Sequence, residues 1–264
     1  MKAQAFLNNK TVFNLQEFAD FYSHEYSGHE TGRRSLVKYY LRTGRLKQVR
    51  KGLYLSSPPG KPSVADPYLI CAKMAADSVI AYHTALQFHG KVYSIRNDYL
   101  FYSRTRIHPF EYDGQVFKSV LFPRPLLDSR QEMFGVQTVE SQGEPLLVTS
   151  LERSLVDVLQ RPDLGGGWEE IWRSLEMIEY FDLDQIVQYV ELLGNSTTAA
   201  KVGFFLEQHC EQLMISQNDL HQLRLLKPES PHYMDRTLHG DTKFLSDWNL
   251  VVPDSIANRR WEEQ

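Results

Sequence analysis

Cysteine is almost missing from this chain of 264 residues. Cys71 and Cys210 are the only two, and neither belongs to a CxxC pair or a Cys/His cluster. A disulfide framework and a structural zinc site are therefore not expected. Long hydrophobic runs are missing as well: no apolar stretch approaches the roughly 18 to 20 residues of a membrane span. The start, MKAQAFLNNKTVFNLQ, has no apolar core of the kind a signal peptide needs. These absences predict a soluble cytoplasmic protein. What remains is ordinary globular composition, with 42% hydrophobic and 23% charged residues, and a length that suits about two domains.

The familiar catalytic signatures are lacking too. There is no HExxH, GxSxG, Walker-type loop, or GxGxxG after a strand, and no Gly-Ser followed by Asp-x-Asp. Gly165-Gly166-Gly167 runs into Trp168-Glu169-Glu170 rather than Gly-Lys-Ser/Thr, and the two acids would repel phosphate. It reads as a turn and a helix start. Asp182 and Asp184 stand where helix caps are expected. His83 and His89 are six apart, about 600° around a helix, and so do not share a face for a metal. No catalytic residue, cofactor or metal is assigned, and the expectation is that the chain is not an enzyme.

Acid is scarce in one place only. Residues 1–62 carry 11 Lys+Arg against 4 Asp+Glu, while the remainder carries 18 against 29. A basic module joined to an acidic body is the charge footprint of a nucleic-acid reader on an effector domain. The basic residues also cluster: Arg33, Arg34, Lys38, Arg42, Arg45, Lys47, Arg50 and Lys51 fall within 19 residues.

Local pattern gives these residues a scaffold. Asn14 can cap a helix from Leu15, with Leu15, Phe18, Ala19 and Tyr22 on one stripe. Ser27-Gly28 breaks it. A second helix is predicted over 31–41, with Leu36, Val37, Tyr40 and Leu41 inward. Arg34, Lys38 and Arg42 recur at i, i+4 and i+8 as a basic ridge, and Gly44 closes the helix. RLKQVRKGLYLSS then reads as a hairpin turning at Lys51-Gly52. Helix, basic helix and basic hairpin follow the order of a winged helix-turn-helix, with the ridge for the major groove and the wing for the phosphate backbone or minor groove. The middle helix of such a module would have to come from residues 24–31. Other uses of the same residues stay open: a solvated helix face, a hairpin that only supports the core, or a docking surface for a protein. SSPPGKPS, ending at 63, reads as a stiff boundary.

In the body, Asp66–Ala76 and Ser78–Phe88 are helical in pattern. Strands are predicted at Tyr99–Tyr102, Phe110–Tyr112, Val116–Phe122 and Val136–Val139, with Asp113-Gly114 as a hairpin turn. Thr149-Ser150-Leu151-Glu152 matches a capping box. The helix behind it buries Leu151, Leu155, Val158 and Leu159, and carries Arg153 and Asp157 as a surface pair. Further helices are expected after the triple glycine and near 183–193, 198–213 and 217–226. From Tyr233 the chain reads as irregular, with Phe244, Leu245, Trp248, Leu250, Val251 and Val252 available to close the core.

Three blocks in order suggest a family. GRLKQVRKGLYLSS (44–57), DSVIAYHTALQFHG (77–90) and SLERSLVDVLQRPDLGGGWEEIWRSL (150–175) resemble AbiEi-type antitoxins. The blocks span most of residues 32–175, and the 180–226 segment fits loosely. The resemblance implies an α+β protein with an N-terminal winged helix-turn-helix over 1–62. A larger mixed α/β antitoxin domain would follow over 63–264, strand-rich over 93–147 and helical over 150–226. It further implies a type IV antitoxin of a phage-defence system. Such a protein represses its own operon at inverted repeats of double-stranded operator DNA. It also counteracts a nucleotidyltransferase-like toxin without a stable complex. Arg33, Arg34, Lys38 and Arg42 match the recognition helix, and Arg45, Lys47, Arg50 and Lys51 the wing. Leu155-Val156-Asp157 and Arg161-Pro162 match the core of the second domain, where a structural role comes first. A single winged helix gains from a second copy on a palindrome, so dimerisation on DNA is expected. Two other classes remain: a ligand-responsive winged-helix regulator, and a DNA-acting enzyme.

Overall fold

The computed structural model describes residues 2–26, 30–57, 65–238 and 240–259. The chain is mixed α+β. It begins with α1 (Lys2–Asn9), β1 (Val12–Asn14), α2 (Leu15–Tyr26), α3 (Glu30–Arg42), β2 (Leu46–Arg50) and β3 (Leu53–Ser56). The cap at Asn14 forms as expected and is reciprocal. The Glu17 amide donates to Asn14 Oδ1 and the Asn14 amide donates to Glu17 Oε2, both at 2.9 Å. No middle helix is squeezed into 24–31: α2 runs on to Tyr26, α3 starts at Glu30, and the break at Ser27-Gly28 lies outside the described residues. The additional helix is α1, at the start of the chain. Its Ala3, Phe6 and Leu7 stand at i, i+3 and i+4, enough for one inward face.

The three strands pair in the order β1-β3-β2. Alternation along them sends side chains to two different cores. Phe13 and Tyr54 face α1, α2 and α3, where Phe6 packs against Phe13 and Phe18. Val12, Val49, Leu53 and Leu55 face the other way, onto Leu69, Ile70 and Cys71 of α4 (Pro67–Ala72). Most of the predicted boundary SSPPGKPS lies outside the described residues, yet the elements on either side of it share a hydrophobic core. An ionic chain reinforces that contact. Lys10 and Lys73 both pair with Glu144, and Lys73 also reaches Glu17 at 2.6 Å.

The body continues with β4 (Val79–Ile80), α5 (Tyr82–Phe88), β5 (Asp98–Ser103), β6 (Phe110–Tyr112), β7 (Gln115–Leu121), α6 (Arg124–Asp128), β8 (Val136–Ser141) and β9 (Glu144–Thr149). Six strands form one sheet in the order β6-β7-β5-β4-β9-β8. The β5–β7 and β4–β9 pairs are parallel and the rest antiparallel. Asp113 and Gly114 take φ of 52° and 73°, as the β6–β7 hairpin turn requires. The helix predicted over Ser78–Phe88 is corrected. Val79 and Ile80 are a strand in the middle of the sheet, buried on both faces, and helix begins only at Tyr82. A two-residue apolar strand has no periodicity to distinguish it from the helix it precedes. Strand β9 was not foreseen, because Pro145 near its start argues against a strand.

The helical part comprises α7 (Leu151–Gln160), α8 (Pro162–Gly165), α9 (Trp168–Leu175), α10 (Leu183–Leu193), α11 (Ser196–Gln208), α12 (Cys210–Leu213) and α13 (His221–Leu225). Two expectations for α7 are overturned. Its cap is Ser150, which accepts from the Arg153 amide, so Glu152 is not the third residue of a capping box and instead accepts from the Asp182 amide. Arg153 and Asp157 are not on the surface: both side chains are fully buried. The tail is not irregular either. Strands β10 (His232–Tyr233), β11 (Thr242–Leu245) and β12 (Leu250–Pro253) form a small sheet in the order β10-β12-β11, followed by α14 (Asp254–Ala257). Trp248, Leu250 and Val252 close the core, while Phe244 stays half exposed. Trp248 packs closely against α11 at Gly203, which has no side chain to obstruct the ring. No helix among the described residues is long and apolar enough to cross a membrane.

Candidate nucleic-acid interface

The eight basic residues singled out above do not share one environment. Arg34, Lys38 and Arg42 are exposed along one side of α3, with Thr31, Ser35 and half-exposed Tyr39 beside them. Val37 and Tyr40 hold the opposite side of the helix in the core. The one acid on this helix is Glu30 at its start, which pairs with Arg34 at 2.6 Å and with Arg33 at 3.5 Å. Lys38 and Arg42 make no ion pair or hydrogen bond with any described residue. Lys47 on β2 and Lys51 at the hairpin turn are likewise exposed and unpaired among the described residues.

Three members of the set are turned elsewhere. Arg33 is largely covered, and its Nε is buried without a partner. Arg45 is half-buried and donates to Asn8 Oδ1 of α1 at 3.2 Å. Arg50 leaves the hairpin toward the body, where its guanidinium lies 5.2 Å from the centre of the Phe110 ring and its Nη1 reaches Met74 Sδ. The hairpin is also short. Its turn at Lys51-Gly52 accepts a hydrogen bond from the Leu15 amide at 2.8 Å, which ties the tip to the start of α2. The basic groups of the set without an intramolecular partner among the described residues are thus Lys38, Arg42, Lys47 and Lys51.

The body holds two buried polar clusters. In the first, Arg153 Nη1 donates to the carbonyls of Glu132 (2.7 Å) and Phe134 (2.6 Å), with its guanidinium between the rings of Tyr102 and Tyr189. Asp157 lies 3.7 Å away and accepts from the Tyr189 hydroxyl at 2.6 Å. Burial pushes the Asp157 carboxyl up to about 6, against the pull of Arg153. In the second, Glu170 accepts from the Ser94 amide and from the hydroxyls of Ser94 and Ser174, and faces His83 Nε2 at 3.1 Å. Burial works to raise the Glu170 pKa, but these bonds hold it below the ordinary carboxylate range, while burial lowers that of His83. Both serines bond the carboxylate rather than the imidazole, so no nucleophile is activated here. His89 is separate and meets the Thr149 carbonyl at 2.8 Å. Among the described residues no group of three His, Cys, Asp or Glu is disposed to hold a metal ion.

These features define a mixed α+β chain with a basic N-terminal helix face and buried polar clusters in its body. No family model and no curated protein matches it. Among solved structures its fold is similar to that of the Rv2827c protein from Mycobacterium tuberculosis, at a TM-score of 0.63 and 16% identity. The match covers 99% of this chain and 93% of the other. At that identity the likeness is one of fold.

Proposed function

We propose that the chain is a DNA-binding antitoxin that represses its own operon. The reading takes α1 to β3 as a winged helix-turn-helix, with α3 as the recognition helix and the β2–β3 hairpin as the wing. One observation carries it: an outward helix face with Arg34, Lys38 and Arg42 in line, no acid beyond Glu30, and two of the three cations unpaired among the described residues. Cations without intramolecular partners are available to displace counterions from phosphates. The antitoxin half rests on the resemblance of the 77–90 and 150–175 blocks to AbiEi-type antitoxins, and names a nucleotidyltransferase-like toxin as the functional partner. Two copies on an inverted repeat would double a modest contact.

The test is a salt titration of binding to the duplex upstream of the chain's own gene, beside a scrambled duplex. Four available cations per copy predict a log–log slope of about −3 to −4 for each copy bound, at roughly −0.9 per phosphate contact. Lys38→Ala and Arg42→Ala should each reduce the slope by about 1. Equal, weak binding to both duplexes, or a slope untouched by either substitution, would remove the reading.

A further inference from the structure

The body is the acidic part of the chain, with 18 Lys+Arg against 29 Asp+Glu outside residues 1–62. One groove in it has the opposite character. It lies on the face of the large sheet where Lys118 and Val120 of β7 project, between the 104–109 loop and the α7–α8 corner. Its first lobe, about 390 Å³, has Ile107, Val120 and Leu164 as an apolar floor, with Arg106, Lys118 and Arg161 around it. A second lobe of about 430 Å³ shares Val120, Leu121 and Arg161 with the first, and is lined further on by Tyr82, Arg124 and Gln160. No aspartate or glutamate among the described residues lines either lobe.

The cations are not equally free. Arg161 is held by Asp163 at 2.9 Å, and Arg124 faces Asp128 at 3.6 Å. Arg106 and Lys118 make no hydrogen bond or ion pair with any described residue. Burial works to raise the Asp98 pKa, and Arg96 and then Lys118 hold it below the ordinary carboxylate range, so Lys118 is partly balanced by that carboxylate, whereas Arg106 makes no ion pair with any described residue. A second observation comes from the far lobe. Tyr82 is buried and held at a φ of 56°, a left-handed conformation that costs a bulky residue of order 1–3 kcal/mol. Tyr82 borders the far lobe at this strand-to-helix corner, with its ring packed in the core 5.1 Å from that of Tyr102.

We propose that this groove binds a small phosphomonoester. Its phosphoryl group would sit between Arg106 and Lys118, and its organic part would lie on the apolar floor past Arg161 toward Tyr82. A dianion suits two cations better than a single carboxylate does, and the Arg106 fork matches phosphate oxygens bidentately. Each lobe is within the size range of small-ligand sites. The site is separate from the α3 face and does not depend on DNA binding.

The experiment is isothermal titration of the full chain, without DNA, with inorganic phosphate, 5′-AMP and adenosine, repeated on Arg106→Ala/Lys118→Ala. Both substituted side chains are exposed, so the variant should keep its circular dichroism spectrum and Tm. Saturable binding of phosphate or AMP, absent for adenosine and weakened about tenfold or more in the variant, is expected. No saturable binding of either anion, equal binding of adenosine and AMP, or an unchanged affinity in the variant would overturn the proposal. A single-stranded oligonucleotide that binds through Arg106 and Lys118 more tightly than AMP would also overturn it, because the groove would then be a strand path.

Discussion

Glu144→Gln tests whether the N-terminal elements and the body are fastened by charge as well as by their shared core. Glu144 opens β9, its side chain is only 6% exposed, and it accepts from both Lys10 and Lys73. Lys73 is 14% exposed, so its bond is sheltered and is worth about 1.5–3 kcal/mol as a charge-assisted bond. Lys10 is 34% exposed, so its share is discounted to that of a surface pair, up to about 1 kcal/mol. Glutamine keeps part of the hydrogen bonding, which leaves a net loss of about 2–3 kcal/mol at pH 7. Burial works to raise the Glu144 pKa, but the two ammonium groups hold it below the ordinary carboxylate range. Its stabilisation is therefore complete above the unfolded-state pKa and is lost as pH falls through the native one. The gap between wild type and variant should shrink once pH drops below about 4. Urea unfolding followed by tryptophan fluorescence reads the loss, and a cycle with Lys73→Met should give a coupling of about 1 kcal/mol or more. A loss under about 0.5 kcal/mol at pH 7, or no coupling, would refute the reasoning.

Asp157 predicts the opposite pH behaviour. Its native pKa is raised to about 6 by burial, so the folded state binds the proton more tightly. Its contribution to stability should fall as pH rises from about 4 to 6. Asp157→Asn should remove that fall and be at least as stable as wild type at pH 7. A loss of about 3–5 kcal/mol there, typical of a broken buried pair, would mean that the attraction of Arg153 outweighs desolvation. Gly203→Ala offers a contest of another kind. Alanine favours a helix by about 1 kcal/mol, but its Cβ would stand 2.0 Å from a Trp248 ring carbon. The clash should win, with a net cost of about 1–3 kcal/mol and a Tm lower by several degrees. A raised Tm would sink the packing argument.

Elements announced by local chemistry were legible in the sequence. The Asn14 cap, the β2–β3 hairpin, the Asp113-Gly114 turn and α10 ending at Gly194 each depend on residues close in the chain. Two of the errors share a cause, since they concern residues whose surroundings come from far away. Arg153 and Asp157 have the spacing of a surface pair, and only the packing of Tyr102 and Tyr189 from distant elements makes them interior. Val79-Ile80 became a strand because β5 and β9 flank it. On the candidate interface, exposure of the Arg34, Lys38 and Arg42 ridge followed from helical periodicity. The loss of Arg50 to Phe110 did not, because Phe110 is 60 residues further along. Arg106 and Lys118 lie in separate segments with nothing local to connect them, and only the fold brings them to one groove.

The two-sided sheet β1-β3-β2 bears on how a reader of DNA would behave. With one face in its own core and the other in the core of the body, and with Arg50 gripping Phe110, the basic helix is mounted like a tool on a fixed arm rather than on a tether. Such a mounting gives up the reach of a flexible linker. In return, the separation and angle between two recognition helices on an operator would be set by how the bodies meet. A change of half-site spacing by a few base pairs could not be absorbed by slack in the chain.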